Sequence, residues 1–325
     1  MKSILKSAIY PITILGPLIS AHTLAVQCYD TVLTPTVLVQ PLNCELTITN
    51  PYALTIVGPT GSLRMLGAGQ IECNNTLDEG NAGILVKGIS ASVIGGKIDS
   101  CPNGIELDGI GSHTILNTQI LDFTDNGISV TSSYNTISNS KTIGLNGSVH
   151  GIVINDKSNY NTINNNYISS AGSDGINVNG QYTSITLNEI ENNGLNGIKI
   201  DADNSTISNN LLKFNTDDGI DIETGFNTVS GNVVIENGED GIELEGTGSE
   251  NIVTFNYVDN NFEVGITIDS LTTINNTVKN NTSINNGLDL NDDSENMTCT
   301  NQINNWSNND VGPTGTSNPP CLKDQ

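Results

Sequence analysis

The sequence predicts an all-β protein, a right-handed parallel β-helix solenoid with rungs of about 22 residues. Three observations carry the prediction. Gly-Ile or Gly-Leu returns at Gly83, Gly104, Gly127, Gly151, Gly175, Gly197, Gly219, Gly241, Gly265 and Gly287, in steps of 21 to 24 residues. A period this constant marks a stacked repeat. No segment carries the apolar 3.6-residue rhythm of a helix. The fixed positions are Ile, Val and Thr, which suit strands, whereas leucine-rich repeats of similar period need Leu and usually a helix.

Each rung holds three short β segments. The first is Gly-Ile-x-aliphatic, as in Gly219-Ile220-Asp221-Ile222. The second is x-Thr-Ile/Val, as in Asn135-Thr136-Ile137 and Asn227-Thr228-Val229. The third is a short aliphatic stretch, as in Glu189-Ile190 or Val233-Val234. Asn, Gly, Asp or Ser separates them. One rung cannot bury its apolar face alone, so rungs stack at about 4.8 Å. Ile220 is expected on Ile198 and Ile242 in an interior column. The rung glycine is expected at a tight corner, where positive φ costs it nothing. Asn188, Asn210, Asn232 and Asn256 recur at the next corner, where left-handed Asn is tolerated and stacked side chains can hydrogen-bond along the column.

The open ends of such a stack would template aggregation. Residues 26–80 read as an N-terminal cap with the first rungs, 81–286 as the regular repeats, and 287–325 as the last rung and C-terminal cap. The tail carries the only tryptophan, Trp306, and is expected to fold over the last rung. The cysteines are Cys28, Cys44, Cys73, Cys101, Cys299 and Cys321, at the two ends and absent from the middle. An even count in an exported chain points to disulfides. Of about 15 connectivities, sequence proximity favours Cys28–Cys44, Cys73–Cys101 and Cys299–Cys321. Residues 1–25 read as a secretory signal, with Lys2 and Lys6 before an apolar run and cleavage after Ala25. The protein is therefore expected to be secreted, periplasmic or at the cell surface. No later segment reaches about 18 apolar residues, so no membrane span is expected in the mature chain.

The formal net charge is −24 and Arg64 is the only arginine. Such a chain would be repelled by nucleic acid, whose phosphates need clustered Lys and Arg. The acids are ordered. If Ile220 and Ile222 point inward, Asp221 points outward. Two positions after the rung glycines come Lys199, Asp221 and Glu243, and four positions after come Asp201, Glu223, Glu245 and Asp269, an unbroken column over four rungs. Asp217, Glu239 and Glu263 form a further column at the preceding corner. Like charges about 5 Å apart repel by roughly 0.8 kcal/mol in water and about 3 kcal/mol at an effective dielectric of 20.

Three readings of these acids stay open. They can be a solvated face that blocks association. Asp201, Glu223, Glu245 and Asp269 can hold Ca²⁺. Asp221 and Glu243, with Lys199 as a base, can form a catalytic set, since rungs one and two apart approximate the retaining and inverting glycosidase separations. Neighbouring carboxylates would hold the Lys199 pKa up. His113 and His150 are expected at surface corners.

The Gly-Ile…Asn-Thr-Ile-Ser-x-Asn pattern resembles the right-handed parallel β-helix proteins of the pectate-lyase superfamily, above all bacterial secreted proteins made of short β-helix repeats. The likeness covers roughly residues 28–321. It implies an exported β-helix whose relatives include polysaccharide lyases, uronan epimerases, glycoside hydrolases, phage tailspikes and adhesins. The family's catalytic motifs do not transfer intact. Arg64 lies away from the long repeat face, His150 follows Val149 where an epimerase would carry Asp-Pro-His, and the polygalacturonase motifs are absent. The function expected is recognition or processing of an extracellular polysaccharide along the outward acidic face. The alternative is a non-enzymatic structural or adhesion module at the cell surface.

Overall fold

The computed structural model describes residues 25–75, 81–145, 147–294 and 303–324. Three parallel sheets of 13, 12 and 11 strands run along the molecule. The chain visits them in turn. In one rung, Ile220–Ile222 lies in the first sheet, Thr228–Ser230 in the second and Val233–Ile235 in the third. Among the described residues the only helical element is the 3-10 turn Pro320–Asp324. Ile198, Ile220 and Ile242 are register partners in successive strands and are fully buried. Burying each such side chain contributes about 1.5–3 kcal/mol.

The rung glycine is needed for a different reason from the one expected. Positive φ occurs at other glycines, and Gly219 is not among them. A Cβ there would lie 2.2 Å from Val234 Cγ1 and 2.6 Å from the carbonyl oxygen of Gly241 on the next rung. Close stacking, and not backbone handedness, excludes a side chain.

The corner asparagines divide their work differently too. The left-handed residue is the one before each: Leu187, Asn209, Gly231 and Phe255 have φ of 58°, 56°, 66° and 59°. The ladder residue follows, buried. The backbone N–H and Nδ2 of Asn188 donate to Oδ1 of Asn210 at 2.9 and 3.0 Å, and Asn210 repeats this onto Asn232. Two further ladders occupy the other corners. One runs through Asn193, Asn215, Asn237 and Asn261. The other runs through Asn227, Asn251, Asn276 and Asn304.

His113 belongs to this second ladder and is buried, contrary to the surface position expected of it. Its Nδ1 accepts from the N–H of Ala91 at 3.1 Å, as an Asn oxygen would, and its Nε2 reaches the carbonyl of Asp108 at 2.9 Å. Burial pushes its pKa down. His150 is half-buried on the first-sheet side.

The last rung is offset from its dipeptide. Ile266 pairs with Leu290 and Thr267 with Asn291, so Asp289, two residues beyond Gly287, takes the rung-glycine place. Trp306 then enters the second sheet opposite Val278 and lies inside the coil. Its Nε1 donates to Oδ2 of buried Asp292 at 2.7 Å. Asp292 follows Leu244 and Ile268 in the inward column, so a carboxylate ends the aliphatic stack. Its other donors are Ser294 and Asn304.

Disulfides join Cys28 to Cys44 and Cys73 to Cys101. Cys321 is also disulfide-bonded. Cys299 and the signal-like residues 1–24 lie outside the described residues.

Candidate functional site

The outward positions of the first sheet align rung on rung: Asn177 on Lys199, Asp221, Glu243 and Thr267. They point away from the core, yet Asn177, Asp221 and Thr267 are 8%, 3% and 1% exposed. Outward positions of the other sheets are open at Val233, Ile252 and Tyr257, although Ser169 and Thr254 are covered. The first sheet therefore presents a recessed polar strip.

Its floor is bordered by a file of residues just before the rung glycines. In this file each side-chain oxygen accepts the backbone N–H of the following rung. Asn196 N–H donates to Asp174, Asp218 N–H to Asn196, Asp240 N–H to Asp218 and Val264 N–H to Asp240, at 3.2, 3.0, 2.8 and 2.6 Å. An asparagine serves this ladder as well as an aspartate does. The second carboxylate oxygen of Asp174, Asp218 and Asp240 is thus not required by it.

Where that oxygen finds donors, the site is quiet. Asp174 Oδ2 lies 3.3 Å from His150 Nδ1 and accepts from Asn177 Nδ2 at 3.0 Å. Burial pushes its pKa up, but the close approach of His150 and the hydrogen bond from Asn177 outweigh it and the net shift is downward. Lys199 serves the next rung. Its Nζ donates to Asp221 Oδ2 at 2.5 Å and to Glu223, and lies 4.0 Å from Asp201. Burial alone would lower its pKa, yet the hydrogen bonds to Asp221 and Glu223 and the charges of Asp221 and Asp201 raise it.

One rung further the donors run out. Asp218, Asp240 and Glu243 bring oxygens within 4.8 Å of one another, as do Asp221, Glu243 and Glu245. Asp221 Oδ1 is buried without a hydrogen-bond partner. Burial, then the charges of Asp218 and Glu245, pushes Glu243 far above the carboxylate range. Burial likewise raises Asp218, Asp221 and Glu245, and takes Asp240 to about 6.

Of the residues singled out in the sequence, Lys199 and Asp221 are in contact and Glu243 is gathered beside Asp221. Asp201, Glu223, Glu245 and Asp269 occupy successive rungs as expected. They do not converge as a set: Lys199 lies against the first two, Glu245 joins Asp221 and Glu243, and Asp269 is exposed. Ca²⁺ takes 6–8 oxygens, and the carboxylates placed to offer them are the two mixed groups. Sequence reasoning missed Asp174, Asp218 and Asp240, taking the neighbouring Asp217, Glu239 and Glu263 as the corner column. The missed signal was the file itself, Asn126, His150, Asp174, Asn196, Asp218 and Asp240, each directly before a rung glycine.

The chain is similar in fold to several solved structures. The Dettilon tailspike protein gp208 aligns with TM-score 0.71 at 16% identity, over 86% of this chain and 61% of its own. A mutant tailspike of E. coli bacteriophage HK620, in complex with a pentasaccharide, aligns with TM-score 0.62 at 11% identity, over 88% of this chain and 60% of its own. The chain thus spans about three fifths of either tailspike. The A-module of the Azotobacter vinelandii mannuronan C-5 epimerase AlgE4 aligns with TM-score 0.56 at 15% identity, over 88% and 89% of the two chains. No curated protein matches the chain in sequence. The family described as "Right handed beta helix region" matches residues 46–181, 142–283 and 174–318 in overlapping segments. Its repeats account for the rungs, the corners and the parallel stacking, and the chain belongs to that family.

Proposed function

We propose that the protein binds a linear extracellular polysaccharide along the outward face of the first sheet. The observation that carries this reading is the recessed strip, where outward-pointing Asn177, Asp221 and Thr267 are almost wholly shielded. Amide, hydroxyl and carboxylate groups at one-rung intervals are the partners sugar hydroxyls use. The rung step of about 4.8 Å is close to the length of one pyranose unit. The HK620 tailspike, similar in fold, is seen with a pentasaccharide. Export agrees with the disulfides.

Binding is favoured over lyase chemistry by the state of Lys199. Held between Asp221 and Glu223 with a raised pKa, it stays an ammonium and is not a free base. A binding module without catalysis is thus the simpler form of the proposal. Affinity electrophoresis against neutral, acidic and amine-bearing polysaccharides tests it. At least one class should retard the protein, and Thr267→Trp, which fills the strip, should weaken retention about tenfold or more. Unretarded migration in every gel, or a Thr267→Trp protein that binds as before, rejects the reading. New reducing ends or unsaturated products in the same incubations would turn binding into processing.

A further inference from the structure

We infer that the polysaccharide carries free primary amines, and that one of its ammonium groups seats between Asp221, Glu243 and Glu245. This rests on the polysaccharide reading above and names the ligand class for that face.

The protein contains its own template for the contact. Lys199 projects from the outward position of one rung, and its ammonium is gripped by Asp221 and Glu223 of the next, with Asp201 alongside. Moving down by one rung, the outward position is Asp221 and the acids beyond it are Glu243 and Glu245. The acceptors are repeated and the lysine is not. Asp221 offers Oδ2 to Lys199 and keeps Oδ1 without a partner, although the residue is only 3% exposed. Asp221 belongs to a group of three carboxylates that bring oxygens within 4.8 Å of one another. An ammonium brings three donors to three acceptors, as Lys199 does.

The backbone ladder points the same way. Asp218 and Asp240 sit where an asparagine would satisfy the backbone equally well, and Asn196 does so on the rung above. With carboxylates at Asp218 and Asp240, the described internal side-chain donors to this cluster are Asn196 Nδ2 and Lys199 Nζ, both on Asp221 Oδ2. The hydroxyls of an N-acetylated or neutral sugar can donate to these acceptors but bring no positive charge to offset them, and a polyuronate is repelled by them. Where donors persist, at Asn177, Asn179 and Thr267, the strip suits ordinary hydroxyls.

The test is titration calorimetry of the disulfide-intact protein with glucosamine oligomers, their N-acetylated counterparts, cello-oligosaccharides and oligouronates with Ca²⁺. Glucosamine oligomers should bind at least about tenfold tighter than the N-acetylated ones. Glu243→Gln/Glu245→Gln, close in shape to the parent, should erase that preference. Glu45→Gln/Glu72→Gln removes two carboxyl groups from the third sheet and should keep it, which separates a seated ammonium from general attraction of a polycation. Equal binding of amine and N-acetyl oligomers, preference lost equally in both variants, or binding of uronates only with Ca²⁺ would each overturn the inference while leaving a glycan-binding face in place. Binding of none of the four would overturn both.

Discussion

Glu243 shows how a residue can be predictable in place and unpredictable in state. Its outward direction follows from strand alternation, and the register confirms it. Its surroundings do not follow, because Asp218 and Asp240 reach it from a corner file three residues before their own rung's outward position. The consequence can be measured. An acid whose folded pKa exceeds its unfolded value favours the folded state less and less as pH rises between the two. Glu243 is pushed up to about 9 and Asp218 to about 8, each chiefly by burial. The groups facing Glu243 are Asp218, Glu245, Asp240 and Asp221, all acids. Lys199, with its pKa raised, keeps its stabilising charge throughout that range. Asp174, shifted down, loses its contribution only in acid, below the ordinary carboxylate range. Stability should therefore fall from about pH 5 to about pH 9. Glu243→Gln should flatten the profile, raising the melting temperature most at the alkaline end. A melting temperature that rises with pH in the parent would contradict this assignment.

At the scale of the rung, strands were legible and corners were not. The Ile-x-Ile and Thr-Ile patterns locate the strands because a period of two in β-branched residues has one physical meaning. A corner has several solutions, and this chain uses a bulky or polar residue in the left-handed conformation followed by a buried amide. Tyr134, Tyr160 and Tyr182 are left-handed with rings stacked 4.9 and 4.7 Å apart. No propensity rule assigns tyrosine there, and the stacking that compensates is visible only once the rungs are aligned. The Gly287 rung was misplaced for the same reason: the dipeptide recurs, but Asp289 occupies the stacked position. The amide is what each corner depends on. Asn210→Ala would strip the acceptor from the backbone and side chain of Asn188 and the donor from Ile185 and Asn232. Buried groups left unpaired cost about 1–3 kcal/mol each, so the urea midpoint should drop clearly. Asn209→Ala, on the exposed left-handed neighbour, should cost only the backbone strain, about 1–2 kcal/mol.

In the whole molecule, each rung touches only its neighbours, so stability is close to a sum of local terms. Damage to the C-terminal plug should stay local. Asp292→Ala leaves Trp306 Nε1 without its acceptor and strips one acceptor from Asn304 Nδ2. Hydrogen exchange should quicken in strands Val264–Ile268, Leu288–Asp292 and Asn305–Ser307 and stay unchanged around Ile128–Val130. A uniform loss of protection would mean that the solenoid melts as one unit. The corner ladders add a directional property to this array. In the ladders through Asn188, Asn193 and Asn227 each side-chain oxygen faces the N-terminal rung, so their amide dipoles add along the axis, while the file before the rung glycines runs the opposite way. Their positive ends emerge at the last rungs. There Asn304 Nδ2 meets Asp292, and Asn286 Nδ2 meets Asp289 at 3.3 Å. Both side chains are 3% exposed, buried acids held at the positive poles of two polarised columns, as an acid is held at the start of an α-helix.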